Sequence, residues 1–439
     1  RTGNPERTSP NVGRNHCRQR RNAPATQSMN QPHTSTMTKK RNTPTADSAK
    51  NGKGGGENGI TMAWQTILLG NVLTFQRGFD ITKNEQSDGP FPVISSSGAK
   101  SSHTNFKVRG PGVIIGRKGS LGTVFFSDGD YWPHSTTLYV KDFHGNDPKF
   151  AYYFLQTMDF KRLDVGASNP SLNRNHIHPI PVLWPPLPTQ KRIAGILSAY
   201  DDLIENCQRR ISILENMARG LYREWFVHFR FPGHEGHPRV NSPLGEIPEG
   251  WEVRAFSAIA HYINGYAFKP SDWSADGVPI IKIKELKAGI TADTPRNSGE
   301  GIPEKYRISD GCVLFSWSAD LDTYLWAGGQ GLLNQHLFNV VPFDAISLSY
   351  CFHALKESMP QFRALSIGAT MHHIKRSALD QVFLALPPKQ MRKSFEALVE
   401  PVHLQIINLT KHIQTLRRTR NVLLPRLLSG QIEVGEGEE

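Results

Sequence analysis

The spacing of apolar residues changes character twice along the chain. Up to about residue 185 it comes in short runs, such as Gly112–Ile115, Thr123–Phe126 and Thr137–Val140, bounded by Gly, Pro, Asp and Ser. Such runs predict strands and turns, and Phe150–Met158 predicts a helix among them. After Pro185-Pro186 the spacing lengthens. Leu197, Tyr200, Ile204, Cys207, Ile211, Leu214, Ala218, Leu221 and Trp225 fall alternately three and four residues apart. Strand-like runs then return. After Pro387-Pro388 the long spacing recurs as Val399, Val402, Ile406, Leu409, Ile413, Leu416, Arg420, Leu423 and Leu427, each 202 residues after its counterpart. Only Arg420 is polar. So narrow a stripe is a helix–helix seam, since packing on a domain surface takes a broader apolar face. Two seams in the same phase predict two helices of about 33 residues, each roughly 50 Å long, packed on one another.

The strand-rich parts also repeat. At an offset of 187, Trp64 falls on Trp251, Gly78-Phe79 on Gly265-Tyr266, Pro92 on Pro279 and Ile94 on Ile281. Further on, Gly112-Val113-Ile114-Ile115 matches Gly311-Cys312-Val313-Leu314 at 199, and Gly166-Ala167 matches Gly368-Ala369 at 202. The expected fold class is therefore α+β. Two mixed, strand-rich globular heads are separated by two long antiparallel coiled-coil helices, with a pseudo-two-fold internal repeat. The expected boundaries are a basic extension over 1–60, a first head over 61–190, a proximal spacer helix over 191–232 and a linker over 233–250. A second head over 251–388, a distal spacer helix over 389–430 and an acidic tail over 431–439 follow.

Composition changes this picture at the N-terminus. Residues 1–60 hold 11 of the 51 Lys/Arg and 3 of the 39 Asp/Glu, leaving the other 379 residues only +4 of the formal +12. They contain no Leu, Phe, Trp or Tyr, too little apolar surface to offset the entropy of ordering. They read as disordered, with no secretory signal, and the folded body is expected to begin near Met62. Cys17, Cys207, Cys312 and Cys351 lack metal-ligand or disulfide-framework spacing. No apolar run approaches the ~18 residues of a membrane helix. These features suggest a reducing, cytoplasmic compartment.

Catalytic and metal motifs are missing. Asn169-Pro170-Ser171-Leu172 lacks the second Pro and the aromatic of an adenine-methyltransferase loop. Lys53-Gly54-Gly55-Gly56 and Gly116-Arg117-Lys118-Gly119-Ser120 lack the pattern or context of a phosphate-binding loop. His176/His178 and His372/His373 have no third ligand at suggestive spacing. The expectation is no catalytic residue, no metal and no cofactor bound by this chain.

The chain resembles the specificity subunits of type I restriction–modification systems over about residues 62–430. The resemblance rests on Gly110–Ser120, Gly166–Asn173, Pro185-Pro186-Leu187 with Gln190–Ile193, Leu221–Val227, Ile247-Pro248-Glu249-Gly250-Trp251 and Leu424–Gly430. It implies two target-recognition domains reading a bipartite site in double-stranded DNA. The implied partners are two modification subunits, which methylate adenine with S-adenosylmethionine, and restriction subunits that use ATP and Mg. No membrane association is implied. In that light the polar loops are candidate DNA contacts, because Arg and Asn bond guanine and adenine edges bidentately and Lys meets phosphates. They are Arg117, Lys118, Ser120, Asn173, Arg174, Asn175 and His176 in the first head. In the second they are Lys282, Lys284, His372, His373, Lys375 and Arg376. The second copy lacks the Gly-Arg-Lys-Gly run within Gly311–Asp320. The alternative functions are a coiled-coil scaffold with two protein-binding heads and a standalone DNA methyltransferase.

Overall fold

A computed structural model of the chain describes residues 64–163, 171–343, 346–367 and 373–434. The first head holds an antiparallel sheet in the order Thr74–Arg77, Thr137–Asp142, Gly112–Gly116, Val124–Ser127. Strand Gly112–Gly116 is buried at every position. Val113 and Ile115 enter the main core, while Ile114 packs with Tyr131 and Tyr139 on the other face. Both faces are covered, so the run is continuously apolar instead of alternating. A smaller sheet pairs Gly98–His103 with Phe91–Ser95, and Phe91–Ser95 runs parallel to Trp132–Pro133.

The second head repeats this plan. Its larger sheet runs Ala260–Asn264, Leu337–Pro342, Val313–Ser316, Asp322–Leu325. Its smaller sheet again has a parallel pair, Val278–Ile281 with Gly331–Leu333. Gly78 and Gly265 mark the same crossing in each head. A Cβ there would stand 2.3 Å from the His134 carbonyl oxygen and 2.2 Å from that of Asn334. No larger residue fits, and this accounts for the repeated glycine.

The structure corrects one part of the repeat alignment. Ile114 lies opposite Tyr139, and Leu314 opposite Asn339, so the offset across these strands is 200 and not 199. The two matched glycines do different work. Gly112 is inside its strand, where a Cβ would stand 2.3 Å from the Tyr131 ring. Gly311 precedes its strand in a turn with φ of 91°. A slip of one residue exchanges the faces of a strand, so the correction decides which side chains correspond.

The proximal long helix spans Leu187–Tyr222, 36 residues, and is prolonged by a π-helical turn at Arg223–Val227. The distal one spans Lys389–Leu428, 40 residues. Each starts directly after its Pro-Pro pair, so the proximal helix begins before the expected 191. Among the described residues no helix is long and apolar enough to cross a membrane. The two helices pack antiparallel. Ile204 and Cys207 meet Leu409, Ile413 and Leu416 in the middle. At one end Leu197 shares the first head's core with Leu427 and Leu428, and at the other Ala218, Tyr222 and Trp225 share the second head's core with Phe395 and Val399. Of the predicted seam, Leu197, Ile204, Trp225, Val399, Ile406, Ile413, Leu416 and Leu427 are buried, and Ile211, Leu214, Leu221 and Leu423 are half-buried. Each head's core is thus completed by a helix end from the other repeat.

Arg420, the polar interruption of the seam, pairs with Asp201 on the opposite helix. The second Asp201 oxygen accepts the Tyr153 hydroxyl at 2.7 Å. This joint ties the first head to both long helices. At the equivalent place in the second head, 200 and 202 residues on, stand His353 and His403. Their Nε2 atoms are 3.0 Å apart, and Ser349 Oγ lies 3.3 Å from His403 Nδ1. Burial pushes the His353 imidazole down to about 3, with the charge of His403 and of nearby Lys356 and Arg219 acting the same way. Burial pushes His403 down to about 4.

Two outcomes follow for stability. Ile413→Ala in the seam should cost about 2–5 kcal/mol, whereas Ile213→Ala, 59% exposed, should change stability by no more than about 0.5 kcal/mol. Thermal or denaturant unfolding of the two variants checks this. The unfolded chain protonates its histidines near pH 6.5, while the folded chain keeps His353 and His403 neutral. The unfolded state therefore binds more protons as pH falls below about 6.5, and stability should decline from there towards pH 4. Melting curves from pH 7.5 to 4.5 should show this decline, with a shallower slope for His353→Gln. Equal slopes would count against the buried pair.

Candidate nucleic-acid interface

In the first head the central strand ends at Gly116 and the chain turns through Arg117–Ser120. Gly119 has a φ of 75° in this turn. The backbone N–H groups of Arg117 and Lys118 both donate to the Thr136 carbonyl, at 2.8 and 3.1 Å. Thr136 Oγ1 lies 2.9 Å from His134 Nδ1 and accepts the Ser96 N–H at 3.3 Å. Three turns, Ser95–Ser97, Arg117–Ser120 and His134–Thr136, are thereby fastened together. A fourth segment joins them: Lys118 bridges Ser171, and Leu172 N donates to the Arg117 carbonyl at 3.0 Å. Buried Leu172 and Ile177 anchor that segment. Asn173 caps the short helix Arg174–Ile177 by accepting the Asn175 N–H at 3.0 Å.

The two predicted clusters of this head therefore form one surface. Lys118, Ser120, Asn173, Arg174, Asn175 and His176 are exposed and Arg117 is half-buried. Beside it a cleft of about 720 Å³ opens, lined among others by Lys83, Gln86, Ser95, Ser97, Lys100 and His134. His178 has a different role. It accepts the Phe75 N–H at Nε2, 3.0 Å, and burial keeps its pKa below the usual imidazole value.

The second head carries the same scaffold with other side chains. Trp317, Ser318, Ala319 and Asp320 occupy the turn, and Ala319 takes the left-handed conformation of Gly119 with φ of 60°. Ser318 bridges His373, and Ile374 N donates to the Trp317 carbonyl at 3.0 Å. Ser318 Oγ lies 3.3 Å from His336 Nδ1, and Trp317 Nε1 donates to Asn264 Oδ1 at 3.1 Å. Asp320 pairs with Lys287, and the hydrogen bond from that ammonium holds its carboxyl below the usual range. Lys375 and Arg376 are exposed next to half-buried His373.

Lys282 and Lys284 stand at the start of the short helix Ile283–Ala288. Lys282 Nζ sits 4.7 Å from the Trp273 ring centroid. Lys284 pairs with Asp293, whose carboxyl is held down at about 2 chiefly by that hydrogen bond, so its charge is balanced locally. His372 and the Gly166–Pro170 and Gly368–Met371 stretches lie outside the described residues.

Sequence reasoning missed the turns that hold these loops, His134–Thr136 with Ser95–Ser97 in the first head, and Asn334–His336 with Trp317 in the second. The repeat at an offset of 200 carries that signal, since it aligns 134 with 334 and 136 with 336. The surface offers hydrogen-bond donors, acceptors and cations. Among the described residues no group of three or more His, Cys, Asp or Glu could hold a metal ion.

Comparison with known proteins agrees with this layout. The family model for the type I restriction modification DNA specificity domain matches residues 62–216 and again 248–415. The type I restriction enzyme MjaIX specificity subunit of Methanocaldococcus jannaschii is 25% identical over 312 residues, 66% of this chain and 70% of that protein. The MjaVIII specificity subunit of the same organism is 21% identical over 404 residues, 84% of this chain and 93% of that protein. A crystal structure of a type I restriction–modification S subunit from M. genitalium has a similar fold, with a TM-score of 0.54 at 14% identity, covering 84% of this chain and 97% of that one. Two copies of the domain, on two equivalent heads, place the chain in the type I restriction modification DNA specificity domain family.

Proposed function

We propose that this chain is the DNA-specificity subunit of a type I restriction–modification complex. Its two heads read the two halves of a bipartite sequence in double-stranded DNA. The chain is non-catalytic and binds no cofactor. It directs adenine methylation or cleavage by partner subunits that carry S-adenosylmethionine, ATP and Mg, and it works in the cytoplasm. One observation carries the reading beyond family membership. The same clamped pair of loops recurs in both heads, presenting Arg117, Lys118 and Asn173–His176 in one, and Trp317, His373, Lys375 and Arg376 in the other. A constant scaffold with exchanged polar side chains suits the reading of two different half-sites, because base edges are told apart by the donors and acceptors placed against them.

The helix pair supports the partner assignment. Leu203, Ile213 and Met217 on the proximal helix are 49%, 59% and 60% exposed, and Leu398 and Leu404 on the distal helix are 53% and 54% exposed. They lie outside the seam, and we assign them to docking of the two modification subunits, with restriction subunits joining that assembly.

Lys118→Ala should weaken binding of the partner-loaded chain to every duplex and lower the salt slope by about one unit if Lys118 meets a phosphate. If it reads a base, the loss should be about 1–3 kcal/mol at one position of one half-site. Titration with duplexes randomised one half at a time separates the two, and unchanged affinity removes Lys118 from the interface. A Leu203→Glu/Met217→Glu double variant should keep its melting temperature but co-purify poorly with the modification subunit. Intact assembly would refute that docking face. A chain that, with its modification subunit, binds no duplex in a salt-dependent way would be a protein scaffold instead.

A further inference from the structure

Trp273 is the one exposed tryptophan among the described residues, 47% accessible. Its backbone is nevertheless firmly held. Lys269 N donates to Asp272 Oδ2 at 2.7 Å, Asn297 Nδ2 to the Asp272 carbonyl at 2.6 Å, and Ser274 N to the Arg296 carbonyl at 2.9 Å. An ordered turn is thus presenting a large apolar ring to solvent, with the Lys282 ammonium 4.7 Å from it.

The first head shows what this position is. There Thr82 N donates to Glu85 Oε2 at 2.7 Å, the same capped turn 187 residues earlier, and the residue in the place of Trp273 is Gln86. The residue in the place of Lys282 is Ser95, because Ile94 and Ile281 make the same parallel pairing and their carbonyls accept the N–H groups of His134 and Asn334, at 2.9 and 3.0 Å. Gln86 and Ser95 line one cleft with His134, and that cleft adjoins the Arg117–Ser120 loop. In the second head Asn334 starts the turn whose His336 meets Ser318. Position 86 thus borders the loop cluster in the first head, and by the repeat position 273 takes the same place in the second, so this position carries an amide in one head and an indole with a cation in the other.

We infer that Trp273, backed by Lys282, is a specificity-determining contact of the second head, its indole giving an apolar surface to a thymine methyl group in the major groove of that half-site. This rests on the DNA-reading function proposed above. Of the four unmodified bases, thymine alone offers a methyl group in the major groove, and apolar side chains recognise it by contact. Lys282 supplies positive charge next to the same contact. Gln86 in the first head offers instead the amide that bonds adenine.

The test is selection from a random duplex pool by the full chain assembled with its modification subunit. Wild type should enrich a bipartite motif. Trp273→Gln should lose about 5- to 100-fold preference at one or two adjacent positions of one half, leaving the other half unchanged, and Trp273→Phe should retain much of it. Replacing the implicated thymine by uracil, which removes only the methyl, should weaken wild-type binding by a similar factor and leave Trp273→Gln unaffected. An unchanged motif and affinity for Trp273→Gln, or an equal loss in both halves, overturns the assignment while leaving the DNA reader intact. If the thymine preference moves but uracil has no effect, the methyl contact is wrong. If wild type enriches no motif, the DNA-reading function itself fails and this inference with it.

Discussion

The antiparallel seam of the two long helices is the contact on which the rest of this protein depends. Neither head has a complete core without it. Leu427 and Leu428 from the far end of the chain fill the core of the first head, and Phe395 and Val399 from the start of the distal helix lie beside Tyr222 and Trp225 in the second. Separating the helices would therefore open both cores at once, which couples the placement of the heads to folding itself. A seam of this kind gives a fixed spacing at little cost, because the residues that hold the helices together also stabilise the domains.

The two heads are joined to the seam by different chemistry at equivalent places. Tyr153, Asp201 and Arg420 form a charged joint that spans both helices, and the second head has a buried pair of neutral histidines. Ala218 stands where the repeat would place a counterpart of Arg420, and it is buried. In the first joint Arg420 meets the carboxylate of Asp201, whereas the place of Asp201 in the second is taken by His403, a group that burial keeps neutral. The polar residue that interrupts the seam is thus matched to its own head, and the internal symmetry is one of backbone rather than of side chains.

Much of this architecture is legible in the sequence because a period of three and four residues has few interpretations when it recurs in the same phase. The strand-rich heads are legible for a similar reason, since Gly78 and Gly265 answer a steric demand that no other residue meets. The candidate interface is harder to read. Its loops are held by backbone hydrogen bonds to Thr136, Arg117 and Trp317, which leave no mark on side-chain identity. Gly311 offsets the apparent alignment by one residue because glycine serves a strand in one head and a turn in the other. Lys284 shows a further limit, as the residue that neutralises it, Asp293, is visible as a partner only in three dimensions.

The most direct measurement is mapping of adenine methylation in cells that carry this chain with the modification subunit proposed as its partner. Two heads fixed on one rigid seam predict a motif of two specified half-sites separated by a gap of constant length and unspecified sequence. Methylation at a single continuous motif, or at half-sites whose separation varies from site to site, would contradict the account.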